Sequence, residues 1–220
     1  FSYQVFVRIE NSLKVECYNT TEFTINIYTT PTANAVEDLF ECDDDNDGVL
    51  SFDFVESQNQ VLAGQDSTAF SVTYHLSQED ADANTNALAI PYFNTNTTEQ
   101  IFVRIENNAN TSCFDTTSFN LNVFDTPVAN TVQTYEVCDD LNDGDDANGQ
   151  TEIILTDFNN EVLNGQDADL FDITYHLSQE DADTNTNAIV SPYYNNGTPF
   201  SYQVFVRIEN SLKVECYSTT

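Results

Sequence analysis

The sequence predicts an all-β protein built from tandem immunoglobulin-like antiparallel β-sandwich domains. Three observations lead there. Apolar residues recur with period two, the runs are rich in Thr, Val, Ile, Phe and Tyr, and long stretches of the chain return about 100 residues later. "VRIEN" occurs at 7–11, 103–107 and 206–210, and "TYHLSQEDAD" at 73–82 returns at 174–183. Residues 1–18 and 200–217 are identical. A period near 100 points to whole domains strung in line, since solenoid repeats are far shorter.

The elements follow in order. Phe23, Ile25 and Ile27 alternate with Thr24 and Asn26, as a half-buried strand requires. Phe70, Val72, Tyr74 and Leu76 alternate with Ser71, Thr73, His75 and Ser77, which places the histidine on the outward face. "QIFVRI" (100–105), a turn "ENNANTSC" and "TTSFNLNVF" (116–124) read as the last two strands of a unit. Proline closes a strand run in "TTPTAN" (29–34) and again in "DTPVAN" (125–130). Residues 1–30 are therefore expected to be the C-terminal strands of a preceding repeat, 31–126 a complete repeat, and 127–220 a repeat lacking its last strand. On this reading the 220 residues are an excerpt from a longer array, in which a strand like "FNLNV" follows Thr220.

Thirty-seven Asp and Glu against five Lys and Arg give a formal net charge of −32. That field repels nucleic acid and anionic membranes and attracts divalent cations. No run of about 18 apolar residues offers a membrane span, so membrane insertion by this segment is not expected. Five cysteines at recurring positions, without zinc-type spacing, point to disulfides and an extracytoplasmic compartment.

Two pairings fit those cysteines. One crosses the repeat junctions, Cys17 to Cys42 and Cys113 to Cys138; the other stays inside repeats, Cys42 to Cys113 and Cys138 to Cys216. Strand geometry favours the second. From Cys17 the dozen residues to the boundary carry the chain roughly 40 Å, whereas a disulfide tolerates a Cα separation of about 7 Å. In an immunoglobulin-like sandwich the first and last strands run side by side in parallel, which brings Cys42 toward Cys113. A tight hairpin through "TPTAN" would rescue the junction pairing but would set Cys17 opposite residue 48 rather than 42. Each bridge would stabilise a small domain by about 2–4 kcal/mol.

"CDDDNDG" (42–48) places Asp43, Asp45 and Asp47 at alternate positions before a glycine, the opening of a Ca²⁺ loop. Position twelve of that loop is Phe54, so it is not an EF-hand. The second copy, "CDDLNDGDDANG", keeps Asp139 and Asp143, has Leu141 at the middle position and adds Asp145. Calcium is the expected cofactor of both loops. A further acidic ladder through Asp80, Asp82, Asn84 and Asn86 lacks glycine and reads as a polar connection between strands.

Catalysis is not expected. The acid clusters lie in turns without a cleft-building insertion, and His75 and His176 have no repeated nucleophile beside them. Tyr3, Tyr92, Phe93, Tyr193 and Tyr194 could stack on sugars, which makes an array of glycan- or protein-binding modules the alternative. The repetition of "TYHLSQEDAD" letter for letter favours a structural role over a variable binding loop.

The joint pattern "IFVRIEN…SCFDTTSFNLNV…P.AN…CDDDNDG…FDF…TYHLSQEDAD" resembles tandem repeats of very large secreted surface proteins and gliding adhesins of Bacteroidetes, exported by the type IX secretion system. The resemblance implies an extracellular, cell-surface filament or adhesin stalk. Its partners would be neighbouring repeats of the same chain, other filament chains or surface glycans. The same bacteria O-glycosylate Asp-Ser/Thr motifs, which points to Ser67 in "DST" and Thr116 in "DTT".

Overall fold

The computed structural model describes residues 1–195 and 201–220. Phe200, which opens the second copy of the duplicated segment, lies outside the described residues. Contacts divide the chain into two compact units: Phe1–Leu39, Ser51–Phe93 and Thr98–Leu121 form one, and Phe40–Leu50, Asn94–Thr97 and Asn122–Thr220 the other.

The chain opens with an antiparallel hairpin, β1 (Ser2–Asn11) and β2 (Lys14–Asn26), in which Val5 faces Phe23 and Tyr3 faces Ile25. The hairpin forms a sheet of its own, so Phe23, Ile25 and Ile27 remain exposed. Then come β3 (Leu39–Asp43), β4 (Ser51–Phe52), α1 (Val55–Leu62), β5 (Phe70–His75), α2 (Gln78–Ala83), β6 (Tyr92–Phe93), β7 (Thr98–Asn107) and β8 (Asn110–Asp125). One sheet has the order β3–β8–β7–β5, and β4 pairs with β6. The core centres on Phe54, whose ring meets Phe52, Tyr74, Tyr92 and Phe119 at centroid distances of 6.1, 4.6, 6.1 and 5.7 Å. Phe119, Leu121 and Val123 of β8 are buried, as period two requires.

The second repeat follows the same plan. It contains β9 (Glu152–Ile153), a 3₁₀ turn (Leu155–Phe158), α3 (Asn159–Leu163), β10 (Phe171–His176), α4 (Gln179–Thr184), β11 (Tyr193–Tyr194), β12 (Phe205–Asn210) and β13 (Lys213–Thr219). Its sheet has the order β10–β12–β13, and β9 pairs with β11. Leu155, Val162, Leu163, Phe171, Tyr175, Val206 and Ile208 form the core.

The fold is all-β as expected, with two local differences. The acidic ladder does connect two strands, β5 and β6, but its first part, through Asp80 and Asp82, is the short helix α2, and Asn84 and Asn86 follow it with positive φ. Ser77 caps α2 by accepting the Asp80 N–H at 3.1 Å and donating to Asp80 Oδ2 at 2.8 Å, and Ser178 does the same for α4. His75 and His176 are buried rather than outward, each fully enclosed. Helix α2 packs against β5 and β7, so β5 is covered on both faces. The His75 ring is held between the Thr73 hydroxyl at 3.0 Å and the Thr85 carbonyl at 2.8 Å.

Candidate metal centre and cystine at the repeat junction

Strand β3 delivers Asp43 into the start of the acidic loop, where it is almost fully buried. Each aspartate then accepts the N–H two residues on: Asp43 from Asp45 at 3.2 Å, Asp45 from Asp47 at 3.4 Å, Asp47 from Val49 at 2.8 Å. Asp43 also accepts the Gly48 N–H at 2.6 Å. Asn46 and Gly48 supply the positive φ values, 56° and 78°, that curl the loop. One carboxylate oxygen from each of Asp43, Asp45 and Asp47 lies within 4.8 Å of the others. Burial raises the Asp43 pKa, but the Gly48 N–H and its other hydrogen bonds outweigh it and hold the group below the usual value. Asp45 is pushed upward, chiefly by its hydrogen bond to the Asp43 carboxyl. Three like charges at this spacing favour either a shared proton or a cation, and an all-carboxylate donor set suits a hard ion such as Ca²⁺.

The loop is fastened on two sides. Asn46 brackets Thr126, donating to its carbonyl at 3.1 Å and accepting its N–H at 2.9 Å. Asn94 accepts the Leu50 N–H at 2.6 Å and donates to the Gly48 carbonyl at 2.7 Å. Neither asparagine was singled out from the sequence. The available signal was the recurrence of "PYFN" (91–94) as "PYYN" (192–195), and Asn195 serves the Thr151 N–H and Gly149 carbonyl in the same way.

Beside Asp43, Cys42 is bonded to Cys216, with a Cα separation of 5.4 Å. This corrects the expected pairs, Cys42 with Cys113 and Cys138 with Cys216. Strands β3 and β8 do run in parallel: Asp38 accepts the Asn120 N–H, and the Asp43 carbonyl accepts the Thr126 N–H. The register defeats the expected bond. Cys42 therefore lies alongside residue 125, and Cys113 stands twelve residues back along β8, about 40 Å at ~3.3 Å per residue. Cys113 and Cys138 are free thiols here, as is Cys17.

The second acidic loop differs. Asp139 accepts the Gly149 N–H, Asp145 accepts the Ala147 N–H, and Asp143 takes the Tyr194 hydroxyl at 2.6 Å and the Asn148 amide at 2.7 Å. Asp143 is held low, foremost by Tyr194, and Tyr194 is pushed up to about 12, foremost by Asp143. Among the described residues, converging acidic side chains are found in the first loop alone. The remaining candidates are dispersed. Ser67 is exposed, whereas Thr116 is half-buried and accepts the Gln78 amide at 3.0 Å. Tyr92 is buried and donates to Glu99, Tyr193 packs on the second core, and Tyr3 and Phe93 are exposed. No helix among the described residues is long and apolar enough to cross a membrane.

A cystine whose halves come from two successive sequence repeats defines a disulfide-linked tandem array of β-sandwiches. The chain belongs to the Flavobacterium inter-domain disulphide bond domain family, whose model matches residues 38–127 and again residues 134–220. No curated protein matches the chain.

Proposed function

We propose that the chain is a structural segment of an extracellular cell-surface filament or adhesin stalk, stiffened by disulfides and by calcium at Asp43, Asp45 and Asp47. Its role is mechanical rather than catalytic. The observation that carries this reading is the Cys42–Cys216 bond, which closes a loop with a sequence separation of 174 residues across two family copies. Such a bond serves extension and load, because force applied along the array bypasses the chain inside the loop. The net charge of −32 supports a role for cations, since bound Ca²⁺ lowers self-repulsion. The resemblance to gliding adhesins supports export through the type IX system and display on a moving cell surface.

Single-molecule stretching tests it. Oxidised chain should hide the segment between the cysteines, whose sequence separation is 174, and reduction should release about 60 nm more contour length at roughly 3.5 Å per residue. Ca²⁺ should raise the unfolding force, and Asp43→Asn with Asp45→Asn should cancel that rise. Equal contour lengths before and after reduction would remove the load-bearing bond, and a force indifferent to calcium and chelator would remove the metal.

A further inference from the structure

We propose that each repeat carries a self-acylation site, where a threonine hydroxyl attacks a glutamine side-chain amide and forms an intramolecular ester: Thr116 with Gln78, and Thr219 with Gln179. In the second repeat the reacting groups touch one another. The Gln179 amide donates to Asp183 Oδ1 at 2.7 Å and to Thr219 Oγ1 at 2.9 Å, and the Thr219 hydroxyl donates to the same Asp183 oxygen at 2.8 Å. The first repeat sets the counterparts in the same places. Its Gln78 amide donates to Asp82 Oδ1 at 2.7 Å and to Thr116 Oγ1 at 3.0 Å.

The fold holds these groups together from two directions. Glutamine and aspartate are four residues apart, so they share one face of α2 and of α4, while the threonine comes from β8 or β13. Each helix is tied to its sheet at the aspartate itself. Arg104 Nη1 donates to the Ala81 and Asp82 carbonyls at 3.0 Å, and Arg207 Nη1 to the Ala182 and Asp183 carbonyls at 3.2 Å. With an amide C–N bond of about 1.33 Å, each glutamine Cδ lies within about 4.4 Å of its threonine oxygen. The terminal amide torsion is broad, so a small rotation turns that carbon toward the hydroxyl lone pair. Held proximity of this kind is what makes an otherwise sluggish exchange at an amide accessible.

The step balances within the site. Thr219 Oγ1 attacks Gln179 Cδ while its proton passes to Asp183 Oδ1. That oxygen also faces Nε2 and hands the proton on to it. The C–N bond breaks, ammonia leaves, and the Oγ1–Cδ ester remains beside a regenerated carboxylate. No oxidant, reductant or second substrate is needed, and dilution of ammonia draws the reaction forward. The Gln179 and Thr219 hydrogen bonds, with the Arg207 charge, hold the Asp183 carboxyl below its ordinary value, so it is ionised and able to take the proton at neutral pH. The product ties helix to strand across a sequence separation of 38 in the first repeat and 40 in the second. It does not depend on the cystine or on calcium.

Intact mass of the folded chain, reduced after incubation at neutral pH, tests this. Loss of ammonia should lower the mass by about 17 Da at each site and about 34 Da in all. Thr116→Val with Thr219→Val should restore the full mass, as should Asp82→Asn with Asp183→Asn, which keeps the shape but removes the base. Proteolysis of the parent should yield branched peptides joining Gln78 to Thr116 and Gln179 to Thr219, and mild base should split them. A full-mass parent overturns the proposal, and a gain of about 1 Da per site, the mark of glutamine hydrolysed to glutamate, overturns the stable ester. A deficit that survives both threonine changes overturns threonine as the nucleophile. A branched peptide from one repeat alone overturns the site in the other.

Discussion

Replacing Arg104 by Met tests the repeat's internal architecture most sharply, because the same motif occurs in an exposed copy that serves as control. Arg104 is buried, and each of its three guanidinium nitrogens donates a hydrogen bond. Nε donates to Glu106 at 2.7 Å, Nη1 to the Ala81 and Asp82 carbonyls at 3.0 Å each, and Nη2 to the Thr111 carbonyl at 2.7 Å, while Cζ lies 3.6 Å over the Phe114 ring. Removing it leaves Glu106 buried with the Asn84 amide as its remaining side-chain donor, at 3.2 and 3.1 Å to the two oxygens. Breaking a buried pair from one side costs about 3–5 kcal/mol, chiefly because of the stranded charge. Arg8 makes the equivalent contacts to Glu10, the Val15 carbonyl and the Tyr18 ring in the exposed hairpin, where such a pair contributes about 0–1 kcal/mol. Urea unfolding followed by tyrosine fluorescence and far-ultraviolet dichroism should give a first-repeat transition weakened by about 3–5 kcal/mol for Arg104→Met and nearly unmoved for Arg8→Met. Losses within about 1 kcal/mol of each other would refute the distinction between a stranded buried charge and a screened surface pair.

Two further outcomes follow from the same geometry. Asp80 and Asp181 are held below the ordinary carboxylate value of 3.8, foremost by the Ser77 and Ser178 hydroxyls. Their stabilisation is complete above that value and is lost as pH falls through the lowered folded pKa, so Asp80→Asn with Asp181→Asn should flatten stability against pH below about 4 in acid titration by calorimetry. Changing Cys42 and Cys216 to Ser opens a loop with a sequence separation of 174, and the chain-entropy relation assigns that bond about 5 kcal/mol. Calorimetry should show the loss, and peptide mapping of the parent under non-reducing conditions should recover the Cys42–Cys216 pair.

The parts of the fold written locally were legible. Period two located β5, β7 and β8, and the alternate aspartates before Gly48 located the loop whose carboxylates converge. Helix α2 escaped because six residues cannot display a helical period; its readable marks were Ser77 three residues before Asp80 and Asn84 at the left-handed C-cap. His75 was misplaced because alternation reports which face points away from the core, not whether a helix then covers that face. The cystine lay furthest from view. The parallel run of β3 and β8 followed from the fold class, but the pairing depended on a register along a 16-residue strand, and no local pattern encodes it.

Cys42 and Asp43 are consecutive, so the covalent link and the candidate ion cannot be independent. The bond to Cys216 fixes the residue before Asp43, while Asn46 grips Thr126 within the same loop. A loop held at its entrance loses less conformational freedom when three carboxylates close on a cation, so the oxidised chain should bind Ca²⁺ more tightly than the reduced one. Linkage makes the effect reciprocal: whatever factor the bond adds to calcium affinity, calcium adds to resistance against reduction. A tenfold coupling would lower the reduction potential by about 30 mV. Calorimetric titration of both redox forms, with thiol–disulfide equilibration in calcium and in chelator, measures the two sides of the cycle separately. Equal calcium affinities in the two forms, with a potential indifferent to calcium, would refute the coupling.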